Sequence, residues 1–118
     1  MVGLIDIQLD VVKKFEKIRE KFIENAKELK RIASNLFKNN LHAVYVFGSV
    51  VKGKTHAMSD IDVAVVLLKP ASENERIRLY KEVRKKFGLL HPFEIHVVTK
   101  DEWDNWYRKF VKEDFVEV

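Results

Sequence analysis

The stretch that decides the fold reads Ala43-Val44-Tyr45-Val46-Phe47-Gly48-Ser49, then ten residues, then Asp60-Ile61-Asp62-Val63-Ala64-Val65-Val66-Leu67-Leu68. Two apolar runs of strand length face each other across a connection, and each carries polar chemistry at one end. Ala43 to Phe47 is apolar throughout, as expected of a central strand, and Asp62 to Leu68 reads as a second. Side chains alternate along a strand, so Asp60 and Asp62 point to the same side of the sheet. Two like charges held that close repel unless a cation lies between them. A turn role accounts for Asp60 alone, but Asp62 opens an apolar strand where an unpaired charge is costly. Where the first run ends, Gly48-Ser49 offers bare backbone amides and a small hydroxyl, groups suited to a phosphate.

Around this centre the periodicity supplies helices. From about Gln8 to Asn39, Val11, Phe15, Ile18, Phe22, Leu29, Ile32 and Leu36 recur three and four apart. Val12, Ala26, Ala33 and Phe37 widen the stripe, and Asn25 interrupts it. One rod or two segments fit this pattern equally. Ser49 to Gly53 reads as a short helical turn and Lys54 to Ser59 as a loop. Ser72-x-x-Glu75 is a capping box that opens a helix running to about Phe87, and Thr99-x-x-Glu102 opens another through Lys112. Pro92 to Val98 lies between them as a third strand. Its alternation sets Glu94 and His96 on one face and Phe93, Ile95 and Val97 on the other. The order is α-β-β-α-β-α, an α/β (α+β) arrangement in which helices flank a small mixed β-sheet.

Composition bounds the rest. The 118 residues suit a single domain, 1–118, with 1–40 as a helical segment packed on the core, and leave no length for a separate substrate-binding domain. The absence of cysteine excludes disulfides and thiol chemistry. Neither a signal peptide nor a membrane-length apolar run is visible, so a cytoplasmic location is expected. The net charge of +4 invites nucleic acid as a partner. Lys and Glu alternate through Lys13–Lys30 and Glu73–Lys86, however, which is the pattern of solvated helix faces. The excess positive charge suits attraction of a triphosphate instead.

Gly-Ser, a spacer of about ten residues and Asp-x-Asp together resemble the signature of the DNA polymerase beta-type nucleotidyltransferase superfamily. The chain looks closest to the minimal nucleotidyltransferases, antitoxin partners of HEPN-domain toxins. That resemblance implies the polymerase beta-type core and transfer of a nucleoside monophosphate, AMP from ATP, to a hydroxyl such as a tyrosine of a HEPN toxin. It implies Mg²⁺, as two ions, held by Asp60, Asp62 and a third carboxylate, for which Glu94 is the candidate. Relatives mostly carry Asp there, so Glu94 departs from the pattern and is read as metal ligand or general base. Gly48 and Ser49 would hold the β- and γ-phosphates. Lys52, where many relatives carry Arg, and Lys54 are phosphate candidates or plain surface lysines. Ser59 is expected to buttress the loop.

His96 reads as a structural histidine or as a partner of Glu94. Trp103, Trp106, Tyr107 and Phe110 read as a core stripe, or as a partner-binding patch where exposed. Two other functions fit the same residues. One is a non-catalytic nucleotide-binding module that masks a toxin; the other is transfer to a small molecule such as an antibiotic, in a pocket that a second copy of the chain could complete.

Overall fold

The computed structural model describes residues 3–56 and 59–118. Two helices, α1 (Leu4–Glu20) and α2 (Phe22–Phe37), are followed by a 3-10 turn, Lys38–Asn40, and by β1 (Leu41–Phe47). The short α3 (Ser49–Lys52) precedes β2 (Ile61–Leu67), α4 (Glu73–Phe87) and β3 (Phe93–Thr99). The chain continues through α5 (Lys100–Glu102), a π turn at Trp103–Tyr107 and α6 (Arg108–Val111), and closes on β4 (Phe115–Glu117). Residues 54–56 and 59 of the expected loop lack regular structure; Ala57 and Met58 lie outside the described residues.

The N-terminal helix is two segments. It breaks at Lys21, whose backbone leaves the helical region (φ −115°, ψ 42°). Asn25, the polar interruption in the stripe, donates its side-chain amide to the Ile18 carbonyl at 3.1 Å, a carbonyl at the frayed end of α1. The capping boxes form as expected. Ser72 Oγ accepts from Glu75 N at 3.2 Å while Glu75 Oε1 accepts from Ser72 N at 2.9 Å. Thr99 and Glu102 repeat the exchange at 3.2 and 3.1 Å.

The described residues form one mixed sheet in the order β3-β2-β1-β4. β1 runs antiparallel to β2 and β4, and β2 runs parallel to β3 through the α4 crossover. β4 was not anticipated. Three residues are too few to show a period, but they pair with the otherwise bare edge of β1.

Each face of the sheet has its own core. On one, α2 and α4 contribute Leu29, Ala33, Leu79 and Val83 against Val44, Val46, Val63, Val65, Phe93 and Val97. On the other, Trp103 and Val111 cover Ala64, Val66 and Val98. The anticipated split of β3 holds, with Phe93 and Val97 under the helices and Glu94 and His96 opposite. The aromatic stripe divides in two. Trp103 is buried and stacks on Tyr45 at 4.6 Å between ring centroids, whereas Trp106 is 66% and Phe110 75% exposed. The π turn inserts an extra residue into the helical repeat, so Trp103 and Tyr107 both meet the sheet and the other two turn outward.

Candidate active site

The strand registers assemble the candidate residues. Phe47 pairs with Asp62 across the β1–β2 ladder, and Asp62 pairs with Glu94 across β2–β3. Side chains at paired positions leave the same face of a sheet, so the two carboxylates stand side by side where β2 and the edge strand β3 begin. His96 is two residues further along β3, on that same face. Donor atoms of Asp62, Glu94 and His96 all lie within 4.8 Å of one another.

His96 Nε2 is 3.4 Å from Asp62 Oδ1 and 4.0 Å from Glu94 Oε1. Its Nδ1 is 3.3 Å from the Tyr107 hydroxyl. An ionised Asp62 accepts only, so neutral His96 donates from Nε2 and takes the Tyr107 hydrogen at Nδ1. The histidine is therefore a partner of Asp62 first and of Glu94 second. Sequence alternation gave its face; the link to Tyr107 depends on how the π turn docks.

Charge is concentrated here. The hydrogen bond with Asp62, then burial, then the Asp62 charge hold the Glu94 carboxyl above the usual carboxylate range, and the Asp60 charge adds to this. His96 is also held above its ordinary value, chiefly by its hydrogen bond to Asp62 and against the effect of burial. Burial pushes the Tyr107 hydroxyl up.

The residues nominated from sequence divide as follows. Asp62 and Glu94 belong to the compact group. Asp60 is exposed at its rim, one residue before β2, close enough to influence Glu94. Gly48 and Ser49 form the β1–α3 junction. Val51 and Lys52 return their amides to the Gly48 carbonyl at 3.2 and 3.3 Å. The Ser49 and Val50 amides start the turn, where no preceding helical carbonyl can reach them.

Gly48 and Lys52 line a cavity of about 160 Å³ with Asp62, facing Phe110, Val111 and Asp114 of the C-terminal segment. Lys52 Nζ lies 3.9 Å from Asp114 Oδ2. Lys54 is exposed and donates its backbone amide to the Ser49 carbonyl at 3.0 Å. Ser59 is buried and braces the loop: its hydroxyl accepts from His56 N at 2.7 Å, and its carbonyl accepts from Arg19 Nη1 at 3.0 Å. Sequence reasoning missed Arg19, a buried cation on the apolar side of α1. The signal was present in its place on that stripe.

Two carboxylates and an imidazole are a donor set that fits a divalent cation. Carboxylate oxygens suit Mg²⁺ or Mn²⁺, and the imidazole nitrogen suits the transition metal of the two.

The chain belongs to the polymerase beta nucleotidyltransferase family, whose model matches residues 16–113. Membership places it among nucleotidyltransferase enzymes. It is 26% identical over 95 residues to a protein of Methanocaldococcus jannaschii named as a protein adenylyltransferase, spanning 80% of this chain and 88% of that one. To the spectinomycin 9-adenylyltransferase of Enterococcus faecalis it is 30% identical over 89 residues. That match takes in 70% of this chain and only 35% of the relative, so the chain spans about a third of the antibiotic-modifying enzyme. A crystal structure of the E. faecalis spectinomycin enzyme, with ATP and spectinomycin, superposes with a TM-score of 0.59 at 26% identity, covering 71% of this chain and 36% of that one. A crystal structure described as a nucleotidyltransferase superposes with a TM-score of 0.57 at 31% identity, covering 78% of this chain and 95% of that one. The mixed sheet with flanking helices is the polymerase beta-type fold. No helix among the described residues is long and apolar enough to cross a membrane.

Proposed function

We propose that residues 1–118 form one nucleotidyltransferase domain that moves AMP from ATP onto a hydroxyl of a protein. The acceptor hydroxyl oxygen bonds to the α-phosphorus, the bond from that phosphorus to the bridging oxygen breaks, and pyrophosphate leaves. The observation that carries this reading is the direct pairing of Asp62 with Glu94 beside the Gly48 turn and Lys52.

Asp60, Asp62 and Glu94 would hold Mg²⁺, as two ions, which when bound offsets the charge building on the transferring phosphoryl group and its leaving oxygen. The chain's own groups do the rest. The Ser49 hydroxyl and the first amides of α3 bind the β- and γ-phosphates, and Lys52 adds a point charge at the same cavity, with Lys54 further out. Glu94 serves either as the third ligand or as the base that takes the acceptor's proton at a carboxylate oxygen. His96, oriented by Tyr107, keeps the Asp62 carboxylate in one position.

A protein acceptor is favoured by the Methanocaldococcus relative, which is of comparable length and named for protein adenylylation. The resemblance to the minimal nucleotidyltransferases suggests a tyrosine of a HEPN toxin in the same cell as that acceptor, which the chain would restrain as antitoxin. Small-molecule transfer is the second reading, favoured by the spectinomycin enzymes.

The test is incubation with ATP labelled at the α-phosphorus, Mg²⁺ and host lysate or a small-molecule panel including spectinomycin. Label on a discrete protein, absent with Asp60→Asn/Asp62→Asn, supports protein transfer; label on a small molecule supports the second reading. Stoichiometric inhibition of a toxin that survives the double substitution would replace both with a non-catalytic binding module.

A further inference from the structure

Trp106 and Phe110 are large, rigid and outward-facing, on a helix whose other aromatic residues are packed against the sheet. With Tyr107 and Glu102 they line a cavity of about 450 Å³, within the range of small-ligand sites. That cavity is continuous in its walls with the candidate active site. Phe110 also lines the smaller cavity that holds Gly48, Lys52 and Asp62, and Tyr107 carries the hydrogen bond to His96.

The two cavities differ in their lining. The smaller one has Lys52 and the Gly48 turn beside two carboxylates, Asp62 and Asp114. The larger has three aromatic rings and one carboxylate, Glu102. Both capping bonds of Glu102 use Oε1, from Thr99 N at 3.1 Å and Thr99 Oγ1 at 3.0 Å, which leaves the lone pairs of Oε2 for a ligand. A flat heteroaromatic ring is suited to the aromatic end, and the phosphates fall to the smaller cavity, where Lys52 and a cation held by Asp62 would offset their charge.

We infer that Trp106 and Phe110 form the shelf on which the nucleobase of the nucleoside triphosphate stacks, with Glu102 accepting from an exocyclic amino group. The inference rests on the nucleotidyl-transfer reading and adds to it the residues that recognise the base. An amino-bearing base such as adenine satisfies Glu102, an acceptor-only group; a base presenting a carbonyl there would leave two acceptors opposed.

The test compares, in Mg²⁺, the binding of a non-hydrolysable ATP analogue and of inorganic tripolyphosphate by calorimetry. It uses the unaltered chain and the Trp106→Ala and Phe110→Ala variants, with circular dichroism confirming the fold of each. Both side chains are solvent-exposed, so the fold is expected to persist. Base stacking predicts that each substitution weakens the analogue about 5- to 160-fold and leaves tripolyphosphate unchanged. Equal analogue affinity in all three proteins overturns the shelf while leaving nucleotide binding intact. Unchanged analogue affinity with lost transfer assigns the aromatic surface to the acceptor and overturns the base assignment. An unaltered chain that binds neither probe overturns the nucleotide reading, and the shelf with it.

Discussion

Gly48 stands against Asp62: a Cβ built on the glycine would overlap Oδ2 of the aspartate. Gly48 also holds φ at +87°, a backbone region that other residues enter at a cost. Its lack of a side chain thus serves both the turn into α3 and the space that the Asp62 carboxylate occupies. Gly48→Ala is expected to displace that carboxylate by a good part of an ångström. Transfer should fall about 100-fold, the usual consequence of misplacing a reacting group by that much, with a stability loss of about 1–3 kcal/mol. Transfer rates and thermal unfolding of the variant check this. An alanine variant with ordinary transfer would show that Asp62 does not need its present position.

The Asp62–Glu94 pairing predicts a cation-dependent stability. Neighbouring carboxylates repel, so a divalent ion that binds only the folded chain stabilises it, by about 2.7 kcal/mol at a hundred times the dissociation constant. Thermal unfolding should rise on adding Mg²⁺ or Mn²⁺ and return with EDTA, which should also abolish transfer. Asp62 lies inside the donor group and Asp60 at its rim. Asp62→Asn should therefore weaken metal binding more than Asp60→Asn, as read by Mn²⁺ titration; the reverse order would place the ion further out along the loop.

The site was legible in the sequence where local pattern carries the information. Gly48-Ser49 and Asp60-x-Asp62 sit at fixed spacing between two apolar runs, and alternation alone put Glu94 and His96 on one face. The two capping boxes located α4 and the start of α5. What pattern could not supply was docking. The choice of His96 between Asp62 and Glu94 is set by the β2–β3 register, and the Tyr107 link by a π turn that a stripe of threes and fours does not reveal. The same turn sends Trp106 and Phe110 outward, dividing a stripe that pattern alone could read either as core or as surface patch. β4 is too short to announce itself, and the break at Lys21 lies in the backbone angles of one residue, which the stripe of apolar positions does not mark. Arg19 falls on the apolar stripe of its helix, which marks it as buried, but its partner, a carbonyl forty positions later in the chain, is set by docking.

Arg19 connects that helix to the approach to Asp60. Its buried guanidinium donates to the Ser59 carbonyl, immediately before the aspartate. Arg19→Met keeps an unbranched apolar side chain and removes the donor. The expected cost is about 1.5–3 kcal/mol, typical of a hydrogen bond from a charged group. Urea unfolding measures the loss. Faster proteolysis near residues 54–60 in the variant would locate it; unchanged stability would mean that water replaces the bond without penalty.

The pH dependence of the metal-free chain follows from His96 and Glu94. Both are held above their ordinary values, with the hydrogen bond to Asp62 as the first cause in each case. A raised folded-state value means that the folded chain binds that proton more tightly than the unfolded chain. The His96 contribution is thus complete below 6.5, its ordinary value, and is lost as pH rises through the higher folded value. Glu94 acts in the same sense from 4.5 upward, more weakly because its side chain is 55% exposed. Stability should therefore decline with rising pH across this window. Asp62→Asn should flatten the decline and return the His96 ring titration, followed by NMR, toward 6.5. Tyr107→Phe should leave that titration raised, because Asp62 and not Tyr107 raises it. A His96 midpoint that follows Tyr107 and ignores Asp62 would reverse the roles of its two partners.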